Sequence, residues 1–134
     1  MNWHADQREL LAKAENYVVK FLKERNVFTL FALVMQPSGE WSVVHPNDEF
    51  PTPQAALLKV SETLRGMAGA GQITASLICM PVSQEKGVLG VVADMEHQAS
   101  PPVVAILRYK KGLLSGWSLK SKEFASGQSR VFVS

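Results

Sequence analysis

If this chain performs chemistry, few side chains are available to do it. Asp94, Glu96 and His97 stand close together ahead of Pro101-Pro102, and a carboxylate pair can divide acid and base roles or help hold a divalent ion. They fall in an alternating stretch, where period-two geometry sends Asp94 and Glu96 to one face of a strand and His97 to the other. Three such groups converge poorly on one atom, and metal sites need three or more suitable ligands. The expectation is a strand end that reaches water, with its polar residues solvated. His45-Pro46-Asn47-Asp48-Glu49 forms a second polar group and His4 with Asp6 a third. No His-x-x-x-His or Cys-x-x-Cys spacing accompanies them, so no metal set, no catalytic set and no cofactor is expected.

Cys79 lies in Ser76-Leu77-Ile78-Cys79-Met80-Pro81, a strand pattern that buries it among apolar neighbours. A nucleophile needs a depressed thiol pKa and a nearby base, and neither is signalled. As the lone cysteine it makes no internal disulfide, which excludes a stapled secreted scaffold. The glycines at 66, 69 and 71 close a helix, whereas a phosphate cradle would place them where a helix begins.

Cations and aromatics mix near the C-terminus, at Arg108, Tyr109, Lys110, Lys111, Trp117, Lys120 and Lys122. Residues 1–100 hold eight basic and eleven acidic side chains, against six basic and one acidic in residues 101–134, so the net charge of +2 hides a mildly acidic body and a basic final third. That charge is too modest to expect nucleic-acid binding. An acidic protein partner is the fitting alternative, because a basic segment steers such an encounter. Trp3, Trp41, Phe50 and Trp117 are candidate interface anchors, since aromatics dominate interface energetics.

These residues must be positioned by one domain. With 134 residues, 46% of them hydrophobic and 19% charged, the chain can bury its own core without a metal or disulfide. No apolar run is long enough to span a membrane and no secretory signal is evident at the start, so a cytoplasmic location is expected. Leu10, Leu11, Ala14, Tyr17, Val18, Phe21 and Leu22 recur at helical spacing. Residues 28–36 read as a central strand covered on both faces, and Trp41 to His45 as its partner across a turn at residues 37–40. Thr52 caps a helix opening at Pro53 and stopping at Gly69 or Gly71. Strands follow at residues 73–82, 88–97 and 103–110, with a weaker one at 113–119. Ser100-Pro101-Pro102 reads as a break. Residues 120–130 read as a polar loop, and Val131-Phe132-Val133 as a short edge strand.

The expected fold is one α+β domain over residues 1–134. Its antiparallel sheet has five or six strands in the order αββαβββ(β), with both helices on one face. This order resembles the profilin-like and roadblock folds in topology, without their final helix. The N-terminal amphipathic helix, Phe31-Ala32-Leu33-Val34-Met35 before Gly39, the helix from Pro53, and Asp94-Met95-Glu96-His97 ahead of Tyr109 also resemble small bacterial proteins; this resemblance carries no activity across. The expected function is a noncatalytic interaction module: a homodimer, an adaptor or an immunity-type partner protein. Its contact residues would be Trp41, Phe50, Arg108, Lys110, Lys111 and Trp117. The alternative is a small-ligand-binding or metal-dependent enzyme domain using His45, Asp94, Glu96 and His97.

Overall fold

A computed structural model describes residues 3–25, 29–46, 52–114 and 116–133. Along the chain run α1 (Ala5–Arg25), β1 (Phe31–Met35), β2 (Trp41–Val44), α2 (Pro53–Gly69), β3 (Ala75–Glu85), β4 (Val88–His97), β5 (Ser100–Gly112) and β6 (Gly116–Ser126). The strands form one sheet in the order β2-β1-β3-β4-β5-β6, and every neighbouring pair is antiparallel. The α+β class and the order of elements are as expected from the sequence.

The helices form for local reasons. Leu10, Leu11, Ala14, Val18 and Leu22 of α1 are all buried, the stripe that helical periodicity places on one side. At its start the His4 N–H donates to Gln7 Oε1 at 2.7 Å, while the Gln7 N–H donates to the His4 carbonyl at 3.0 Å. This is one half of a capping box. Thr52 caps α2 as expected, accepting from the Ala55 N–H at 3.1 Å, and Gly71 leaves that helix with φ +73°, a conformation glycine adopts without strain.

The placement of the helices corrects one expectation. Phe31, Leu33 and Met35 pack into a core with α1, whereas Ala32 and Val34 pack into a second core with Val60 and Leu64 of α2. Successive strand residues face opposite ways, so the helices lie on opposite faces of the sheet, not together on one. An all-apolar strand such as β1 requires cover on both sides.

Three local expectations also change. Pro101 and Pro102 do not break the chain; they open β5, where His97 faces Ser100 and the register with β4 is irregular. The start of a strand and a bulge are the places where a missing N–H is tolerated. Residues 120–126 belong to β6 and not to a polar loop; their side chains are polar because β6 is the sheet edge. Residues 131–133 are not a strand, although Val131 is fully buried in the α2 core. The tail turns towards that core at Gly127, whose N–H donates to the Pro102 carbonyl at 3.0 Å. A Cβ there would lie 3.3 Å from the Pro102 backbone.

Two-sided cover predicts that truncation on either face of β1 destabilises the fold. Leu33→Ala should cost about 2–5 kcal/mol and Val34→Ala about 2 kcal/mol, both read from denaturant midpoints. A negligible Val34 effect would mean that the α2 face is open to water.

Candidate functional site

The end of β4 was expected to be solvated, yet Asp94, Glu96 and His97 are all buried. As the alternation implied, they diverge. Asp94 pairs with Ile78 and Glu96 with Ser76, on the side of the α2 core, while His97 points to the α1 side. Each is covered by a chain terminus that the sequence pattern did not bring to them.

Glu96 receives the C-terminal segment. Its Oε1 accepts from the N–H groups of Arg130, Val131 and Phe132 at 2.9, 3.1 and 3.3 Å, and Oε2 accepts from Val131 at 3.0 Å. Three consecutive amides thus satisfy one buried carboxylate, as burial of a charge requires. The Arg130 guanidinium lies 3.5 Å from Asp94 Oδ2. Burial pushes the Asp94 carboxyl above the usual carboxylate range; Arg130 pulls it back, and the neighbouring Glu96 charge adds to the rise.

His97 holds the N-terminal helix. Its Nε2 lies 3.1 Å from Asp6 Oδ2, its Nδ1 accepts from the Ala99 N–H at 3.0 Å, and its ring stacks on His4 with centroids 3.8 Å apart. His4 Nδ1 lies 3.4 Å from the same Asp6 oxygen and accepts from the Asp6 N–H at 3.0 Å. His4, Asp6 and His97 can therefore each offer a ligand atom, all within 4.8 Å of one another. The hydrogen bonds argue against a resident metal. Because His97 Nδ1 is an acceptor, the proton of the neutral ring sits on Nε2, facing Asp6. A metal-bound histidine instead donates from its second nitrogen. As folded, the trio is a clasp, assisted by Gln7, whose Nε2 donates to the Met95 and Pro101 carbonyls at 3.4 and 3.2 Å.

His45 does not join the other candidates, so the four-residue polar site is corrected. It follows the β2 end where Val44 faces Ala32, whereas His97 pairs with Ala75, which faces Met35; about 10 Å of strand separates the two ends. Instead His45 Nε2 lies 2.9 Å from the Tyr17 hydroxyl. Both line an open cavity of about 330 Å³ with Lys20, Phe21, Glu24 and Thr29. Cys79 is fully buried, as expected, and burial pushes its thiol above the usual range, which disfavours the thiolate.

The interaction candidates also separate. Trp117 is buried in the α1 core and cannot serve as a contact. Phe50 lies outside the described residues. Trp41 is 41% exposed on edge strand β2, with the Lys13 ammonium 4.7 Å from its ring centroid. Arg108 is tied to Glu123 at 3.1 Å. Lys110 and Lys111 are exposed near the end of β5. Beyond them are two residues that the sequence reading placed in a strand. Leu113 and Leu114 occupy the β5–β6 turn and are fully exposed, at 104% and 102%. The available signal was an apolar pair between two glycines, Gly112 and Gly116, directly after two lysines. The Lys86-Gly87 turn adjoins them, since the Lys111 N–H donates to the Gly87 carbonyl at 2.8 Å.

No protein-family model, curated protein or solved structure matches the chain.

Removing the Asp6 carboxylate leaves the buried His97 Nε2–H without its acceptor, so Asp6→Ala should cost about 1–3 kcal/mol in chemical denaturation. Added zinc should leave the wild-type Tm unchanged; a rise growing with zinc concentration would place a metal in the clasp. Asp94 gives a pH signature. Its raised pKa means that the folded state keeps the proton longer, so its contribution is full in acid and declines as pH rises through the raised pKa. Asp94→Asn should therefore match wild type near pH 3 and gain on it towards about pH 7, read as a difference in Tm.

Proposed function

We propose that the chain is a noncatalytic interaction module, of the adaptor or immunity-partner type, that binds another protein through the end of the β5–β6 hairpin. The observation that carries this reading is the Leu113-Leu114 pair, fully exposed at a tip. Lys110 and Lys111 precede it and Lys86 lies in the adjoining turn, all three exposed. Val88, at 41% exposure, adds apolar surface at the same end. Contiguous exposed apolar side chains mark contact sites, and a cationic collar favours a partner that offers an apolar pocket with an acidic rim. Cys79, a free thiol, suits the cytoplasmic setting that we assign. No described helix is long and apolar enough to cross a membrane.

A second reading, small-ligand binding, draws support from the cavity beside His45 and Tyr17, where Lys20 and Glu24 could engage a small polar molecule. It retains only His45 of the four residues first considered. The metal-dependent form of that reading loses its ligand set, because His45 and His97 stand apart.

Fully exposed leucines contribute little to folding, so the double variant Leu113→Ser/Leu114→Ser should hold stability within about 0.5 kcal/mol of wild type. It should also abolish the contact. A photo-crosslinker placed at residue 113 of the full chain, in native lysate, should trap one defined protein or a second copy, and the same probe at the exposed Leu58 should not. Light scattering on the purified chain separates self-association from a foreign partner. A monomer with no specific crosslink at 113 would sink the reading.

A further inference from the structure

The C-terminal segment sits on the domain as a bound peptide would. Residues 127–133 form no strand with the sheet; past the Gly127–Pro102 backbone hydrogen bond, what holds them is a set of side chains from elsewhere in the chain. Glu96 reads three successive backbone N–H groups. Arg65 Nε, from α2, donates to the Arg130 carbonyl at 3.0 Å. Asp94 faces the Arg130 guanidinium at 3.5 Å. Val131, 1% exposed, fills an apolar hole walled by Val60 and Leu64 of α2 and by the facing strands, and Phe132 packs at its edge.

Such a slot recognises chemistry and not merely shape. The carboxylate demands consecutive free amides, which excludes proline there. The apolar hole takes a β-branched aliphatic side chain, and the acid beside it selects a basic residue immediately before. We propose that the cleft between α2 and the β1–β3–β4 face is a peptide-binding site for an extended basic–aliphatic–aromatic segment of a partner protein. The Arg130-Val131-Phe132 tail is its built-in competitor. This goes beyond the hairpin-tip reading and does not depend on it, because the two sites share no residue. The competitor has the advantage of tethering, since an attached segment acts at an effective concentration in the millimolar range. A partner peptide therefore binds weakly until the tail is displaced, which makes the tail a threshold on binding.

The test uses the full chain and a fluorescent peptide of the tail sequence, Gly-Gln-Ser-Arg-Val-Phe-Val-Ser. Val131→Asp removes the tail's apolar anchor without changing any residue of the slot. Anisotropy should show the peptide binding this variant at least tenfold more tightly than it binds wild type. Glu96→Gln in the Val131→Asp background should weaken it at least tenfold, and a scrambled peptide should not bind. In wild type, excess unlabelled peptide should accelerate hydrogen exchange at the amides of residues 130–132. Equal affinity for wild type and variant, or equal binding of the scrambled peptide, overturns the proposal, as does no binding to a Val131→Asp chain shown by circular dichroism to be folded. If that variant does not fold, exchange in wild type decides: unchanged protection under millimolar peptide overturns it. A wild-type dimer that Val131→Asp abolishes would assign the slot to tail exchange between two copies, and would equally overturn the partner-peptide reading.

Discussion

Two adjacent residues, Glu96 and His97, govern how this fold is closed. They end β4, a strand inside the sheet, and because strand residues alternate they must find partners on opposite faces. A buried carboxylate and a buried imidazole are both costly without hydrogen bonds. Glu96 meets that requirement with the amides of residues 130–132, and His97 with Asp6 at the start of α1. One end of one strand thereby fastens both termini of the chain, the N-terminal helix on one side and the tail on the other. The apolar cores do the bulk of the stabilising. These two polar contacts fix how the terminal segments lie on them.

Much of this architecture was legible in the residues. The stripe from Leu10 to Leu22, the Thr52-Pro53 helix start and the bounds of β4 follow from local periodicity and capping, which depend on near neighbours only. The divergence of Asp94 and Glu96 from His97 followed from the same local rule. What the pattern could not convey was cover. Phe31 to Met35 is apolar at every position, which already demands packing on both faces, yet nothing local says which helix takes which face. Ile78 and Val34 meeting Val60, and Leu33 meeting α1, is a tertiary outcome.

The burial of Glu96 was illegible for a related reason. A charged residue at a strand end reads as exposed unless a distant segment covers it, and Arg130 is 34 positions away. The loop expected from residue 120, where β6 in fact continues to Ser126, has a different origin. An edge strand such as β6 carries polar residues because its outer side faces water, so composition makes it look like a loop. The same ambiguity hid Leu113 and Leu114: two leucines read as strand, and only the tight turn around them turns their side chains outward.

The layout of α1 bears on how the chain is made. Its apolar stripe packs not only on β1 but also on β3, β4 and, through Trp117, β6. During synthesis α1 emerges before every strand that buries it, and β6 comes roughly a hundred residues later. The β3–β4–β5–β6 meander joins neighbours in sequence and closes cheaply, whereas docking of α1 closes a loop of roughly a hundred residues and comes at greater entropic cost. The helix is therefore left with an incompletely covered apolar face until β6 has been made, which is the interval in which a nascent chain of this topology is most open to chaperones and to misassembly.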